Sequence, residues 1–212
     1  APVTGRFTPA PEQLFGGAEN GHLALPGQYS VSLQQFEDGV LSPIAGPITF
    51  TVQSLNNATL PASDKQAYLD FCKKVSTLRK AVSAASNIHR ELNTRLGHIQ
   101  TSIQDMPAPA QELLKKTYEI KTRLNALGLQ LNGDATRGRR EFETTPSING
   151  RVGLCEDSMW NTTCAPTQTY EENYNIATKQ FGPLLDSLKG VDREMNGIEQ
   201  ELEMKGAPST PG

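Results

Sequence analysis

Over residues 28–52 hydrophobic positions recur with a period of two. Tyr29, Val31 and Leu33 alternate with Gln28, Ser30 and Ser32, the pattern of a strand with one buried face. Pro26-Gly27 opens that run, and Glu37-Asp38-Gly39 reads as a hairpin turn. A second strand is predicted through Ile48, Phe50 and Val52, alternating with Thr49 and Thr51, after a loop from Ser42-Pro43 to Gly46-Pro47. Two strands alone are marginal in water. The sheet is therefore expected to gain strands from the residues before 26, to pack on helices, or to be completed by further chain. Residues 1–26 are rich in Pro and Gly and read as an extended arm.

Near residue 60 the period changes to seven. Phe71, Val75, Leu78, Val82, Ala85, Leu92, Leu96, Ile99 and Ile103 are spaced alternately by three and four, with His89 in the one vacant place. That is an a/d stripe on a helix of about 40 residues and roughly 60 Å. Ser63 with Gln66 is a candidate capping box at its start, and Met106-Pro107-Ala108-Pro109 ends it. A second stripe, Leu113, Ile120, Leu124, Leu127 and Leu131 with Thr117 filling the gap, predicts a shorter helix that stops at Asn132-Gly133. A third runs through Tyr170, Tyr174, Ala177, Phe181, Leu184, Leu188, Val191, Met195, Ile198 and Leu202. Thr167 or Thr169 would cap it, and Pro183 is expected to bend it. Between the second and third helices lies an irregular connection, residues 133–166, long enough to be structured or functional.

The predicted fold is mainly α with a small β part: an antiparallel three-helix, coiled-coil-like bundle over 61–212, preceded over 1–60 by an arm and a partial β-sandwich or hairpin. The outer two helices should extend past the middle one, leaving the 133–166 segment to cover the rest.

Composition narrows the function. The chain has 212 residues with 20 Lys+Arg against 23 Asp+Glu, a formal charge of −3. That lacks the cationic excess a general nucleic-acid binder needs. No apolar run approaches the roughly 20 residues of a membrane span, and no N-terminal stretch pairs a basic end with an apolar core. Aromatics are only 6%, which suits aliphatic helix packing better than a deep pocket.

Three cysteines leave one unpaired. The simplest expectation is a Cys155–Cys164 disulfide with Cys72 as a small buried apolar residue. A disulfide would imply an oxidising compartment, and the sequons at Asn57 and Asn161 are compatible with one. A zinc site would need further ligands nearby, so no metal and no cofactor are expected. His89 on the apolar stripe reads as a bonded structural histidine, His98 as solvated, and His22 as part of a Gly-rich loop. Glu171-Glu172 and Glu141/Glu143 do not face each other across a cleft as glycosidase carboxylates must, and Glu199, Glu201 and Glu203 read as a solvated helix face. Arg137, Arg139 and Arg140 form a basic cluster. They could contact an anion, or could satisfy helix carbonyls and pair with Asp134, Glu141 or Glu143. Trp160, between two cysteines, is either a partner contact or a plug on the bundle.

Several segments carry a family resemblance. Leu23-Ala-Leu-Pro-Gly-Gln-Tyr-Ser-Val-Ser-Leu33 resembles the "LPGTYTVRL" strand found late in large bacterial proteins with sortilin-like, BNR-repeat β-propellers, often labelled glycosyl hydrolases. Pro47-Ile-Thr-Phe-Thr-Val52 is similar to the next strand of their small immunoglobulin-like sandwich. Pro146-Ser-Ile-Asn-Gly-Arg-Val152, with Leu154, Trp160, Thr162-Thr163 and Ala165-Pro-Thr167, resembles the loop between the last helices of their C-terminal region. The resemblance implies the C-terminal part of a longer secreted protein, with Trp160 as part of the fold and with Cys155 and Cys164 as additions to the family pattern. It carries over no catalytic residue. The expected function is a non-catalytic extracellular, cell-surface or periplasmic structural and interaction module. Its expected partner is the missing propeller and sandwich part of its own parent or another protein chain, with a homo-oligomer as a further possibility. The alternatives are a carbohydrate-binding accessory region of a glycosyl hydrolase, or a coiled-coil subunit of an oligomer or filament.

Overall fold

The computed structural model describes residues 24–55, 62–106 and 110–207, without the side chains of 158–161. Two units divide near residue 56. The first is an antiparallel hairpin of β1 (Gly27–Glu37) and β2 (Val40–Val52). Asp38 and Gly39 join the strands, both at positive φ (49° and 83°), the backbone of the two-residue turn whose twist matches the strands. Tyr29 pairs with Phe50 and Val31 with Ile48 on one face, while Gln28 pairs with Thr51 and Ser30 with Thr49 on the other. The Tyr29 and Phe50 rings stack at 6.0 Å.

The expected loop at 42–47 is not a loop. β2 runs straight through Pro43 and Pro47, and the register slips between Val31 and Leu33 and again between Leu33 and Gln34. Both slips place the extra residue on β2. The first slip takes up Gly46-Pro47 opposite Ser32, while Pro43 stays in register with Gln34; a proline cannot donate to a ladder and suits a bulge or an edge strand.

The second unit is helical: α1 (Lys65–Gln104), α2 (Gln111–Asn132), the single turn α3 (Ala135–Gly138), α4 (Ile148–Asn161) and α5 (Gln168–Met204). Asp64, rather than Ser63, caps α1 by accepting from the Gln66 and Ala67 amides. Thr167 stands at the start of α5 without a side-chain cap bond, and Pro183 lies within that continuous helix. Bonds from Gln100 to Thr117 and between His89 and Leu124 set α2 antiparallel to α1. Phe71 against Tyr174, and Arg95 against Asp192, set α5 parallel to α1.

The main departure from expectation lies in 133–166, which contains the fourteen-residue helix α4. Ile148, Val152 and Cys155 are its buried seam, spaced four and three like the other stripes. Arg79 on α1 bonds Asn149, and Asn149 also bonds Ser86 and Asn132. The Tyr68 hydroxyl donates to the Thr162 carbonyl at 3.1 Å. α4 therefore continues the direction of α2 and covers the N-terminal half of α1 that α2 is too short to reach. In cross-section the second rod is two helices placed end to end, and one aliphatic core runs through both halves.

Gly128 on α2 is where the rods come closest to a side chain. A Cβ there would stand 2.9–3.0 Å from the His89 ring. That ring is held, because its Nε2–H donates to the Leu124 carbonyl oxygen at 2.9 Å, and the neighbouring Asn93 amide donates to the His89 backbone carbonyl at 2.8 Å. Gly128→Ala gains about 1 kcal/mol of helix propensity and loses about 1–3 kcal/mol to overpacking and the broken bond. Chemical denaturation should show a net loss of about 1 kcal/mol, and adding His89→Ala should abolish the overpacking part of it.

Candidate functional site

The Cys155–Cys164 disulfide is not formed; Cys72, Cys155 and Cys164 are all in the thiol form. Cys155 sits inside α4, where its thiol donates to the Tyr170 carbonyl of α5 at 3.3 Å. From Cys155 to the end of α4 the helix rises about 9 Å at 1.5 Å per residue, which carries Cys164 beyond the 4.4–6.8 Å Cα separation a disulfide needs. Cys164 instead closes the turn after α4, its amide donating to Thr162 Oγ1. The same turn is tied to the start of α1 by the Ala62 amide on the Thr163 carbonyl. Burial pushes the Cys72 and Cys155 thiols above their ordinary pKa. Burial also raises the Tyr68 phenol, helped by its bond to Cys72. These groups stay protonated and inert.

Arg137, Arg139 and Arg140 are exposed around the single turn α3. The Asp134 carboxylate caps that turn through the Thr136 and Arg137 amides, so it is committed to backbone. None of the three guanidinium groups takes part in an ion pair among the described residues. The side chains of Trp160 and Asn161 lie outside the described residues, as do His22 and Asn57. His98 is exposed. His89 is the bonded bundle histidine described above.

Several polar residues of the helical unit tie rods together. Arg95 on α1 reaches three side chains of α5: Nε donates to Glu199 at 2.6 Å, Nη1 to Asp192 at 2.8 Å, and Nη2 to Asn196 and Glu199. The Glu199 bond, above all, raises the already high Arg95 pKa. Arg123 grips Glu194 with two bonds of 2.7 and 2.9 Å. Glu201, read from sequence as a solvated face, pairs with Lys205 and Lys116; the Lys205 bond holds its carboxyl below the usual range. The sequence carried a partial signal for the Arg95 cluster, because Asp192, Asn196 and Glu199 are spaced four and three beside the buried stripe.

Two shallow depressions open on the helical unit. One lies on α2, lined by Leu114, Lys115, Tyr118 and Thr122 among others. The other lies between α1 and α5, lined by Lys73, Lys74, Thr77, Leu78, Tyr174 and Thr178 among others. Among the described residues no group of three His, Cys, Asp or Glu side chains is placed to hold a metal ion, and no helix is long and apolar enough to cross a membrane.

The hairpin presents the surface most in need of an explanation. Val31 is 56% exposed and Ile48 64%, and Tyr29, Leu33 and Phe50 on the same face are exposed as well. A contiguous apolar patch of this kind marks an interaction surface, and a hairpin by itself is marginal. Compared with models of known protein families, with curated proteins and with solved structures, the chain matches none of them.

Proposed function

We propose that the chain is a non-catalytic structural and interaction module, the C-terminal part of a larger secreted propeller protein. The observation that carries this is the hairpin's exposed apolar face, which is patterned for burial against another layer and is backed between residues 28 and 34 of β1 by a polar face, like half of a sandwich. The helical unit supports it from the other direction. His89, Arg95, Arg123 and Glu199, its strongest candidates for chemistry, are bonded between helices, where they fix the rods against one another. With no disulfide formed, an extracellular, cell-surface or periplasmic location rests on the sequence resemblance alone.

Two measurements test the proposal. The purified chain, offered a panel of chromogenic glycosides, should give no turnover above buffer; catalysis that survives repurification would overturn the non-catalytic assignment. The native protein recovered from its source should have an intact mass well above 23.1 kDa. A native species of 23.1 kDa with no larger form would overturn the assignment to a longer parent.

A further inference from the structure

The two edges of the hairpin are not alike. β2 carries Pro43 and Pro47 and both register slips, the devices by which natural sheets blunt an edge. β1 carries none. Its eleven residues, Gly27–Glu37, contain no proline and no Lys or Arg, and its only charge is the terminal Glu37. Its outer edge is free of bulges and of charge before Glu37, and among the described residues no other strand pairs with it, as with an edge awaiting another strand.

The sequence of β1 also specifies what fits there. About Val31 it is nearly self-complementary. An antiparallel copy centred on that residue sets Val31 against itself, Tyr29 against Leu33, Ser30 against Ser32 and Gln28 against Gln34. Apolar residues then meet apolar ones on one face, and polar meet polar on the other. A two-fold axis normal to the sheet keeps both apolar faces on the same side. Shifting the register by one residue would set apolar residues against polar ones.

Charge selects the same orientation. Antiparallel pairing puts the two Glu37-Asp38 turns at opposite ends of the sheet, each about 20 Å from the axis at roughly 3.4 Å per residue. Their separation is then several times the Debye length of about 8–10 Å. Parallel pairing would set four carboxylates side by side.

We propose that the outer edge of β1 pairs antiparallel with β1 of a second copy of this chain, centred on Val31, to form a four-stranded sheet in the order β2–β1–β1–β2. Pairing takes the sheet past the two-strand limit of stability through an isologous contact. It goes beyond the scaffold role and does not depend on it. A chain that stays monomeric leaves that role standing, and glycosidase turnover would leave the pairing standing.

Sedimentation velocity of the full chain between roughly 1 μM and 1 mM tests the pairing. The wild type should show a reversible monomer–dimer equilibrium. Ser30→Lys with Ser32→Lys sets lysine against lysine twice across the axis, on the polar face where a lone hairpin tolerates them. The dissociation constant should rise about tenfold or more, since directly opposed like charges destabilise paired strands. Thr49→Lys with Thr51→Lys places the same charge on the same face of β2 and should leave the dimer intact; circular dichroism of the helices confirms that each variant is folded. A wild type that is monomeric throughout, larger polydisperse assemblies, or equal weakening by the β2 pair would each overturn the proposal.

Discussion

Leu124→Ala should lower the stability of the helical unit by about 3 kcal/mol, within the range for a fully buried leucine. Leu124 has no exposed surface and sits in the core shared by α1, α2 and α5. The rods beside it are braced by Arg95 and Arg123, so they can close only part of the void. Lost transfer energy and the residual cavity then add. The expected fall in Tm is roughly 6–12 °C for a unit of this size. Leu129 on the same helix is 53% exposed, and Leu129→Ala should change stability by less than about 0.5 kcal/mol. Calorimetry of both variants checks the seam, since equal losses would mean that α2 is rotated from the face assigned to it.

The second large effect is in the thiols. Cys72 and Cys155 are completely buried, while Cys164 is partly exposed. Ellman's reagent, without reductant, should titrate one thiol rapidly in the native protein and three after denaturation. A Cys155–Cys164 disulfide would leave a single titratable thiol, the buried Cys72. The two buried thiols should react about a hundredfold more slowly or less, because each must wait for the helices to open. Their raised pKa values also bear on stability. A thiol favoured in its protonated form by folding contributes stability that is fully present below its unfolded pKa, 9.0 here, and is lost as pH rises through the higher folded value. Thermal stability should therefore decline above about pH 9.

Much of the architecture was legible in the chain because periodicity is local. The stripes from Phe71 to Ile103, Leu113 to Leu131 and Ala177 to Leu202 are buried as the three–four spacing requires, and His89 and Thr117 fill the two vacant positions with bonded side chains. Asn132-Gly133 ends α2, with Gly133 at φ 80°. α4 was missed although Ile148, Val152 and Cys155 repeat the same spacing. Pro146, Gly150 and Gly153 read as breakers over so short a stretch, and tertiary burial on α1 and α5 overrides that weak propensity. The same helix explains the cysteine error. Eight intervening residues of irregular chain could bring Cys155 and Cys164 together, but residues fixed in a helix hold them apart.

Sequence alone determined which residues of α1, α2 and α5 turn inward, because hydrophobic spacing fixes the period and hence the buried face of each long helix. It also determined the hairpin turn, where Asp38-Gly39 supplies the two positive φ angles the backbone requires. Tertiary structure decided the partners. That Arg95 meets Asp192 and Glu199, that α4 completes the rod begun by α2, and that Cys155 faces Tyr170 depend on the relative rotation and axial offset of whole helices. Those quantities are set by the packing of all the seams together, and no short stretch of sequence encodes them.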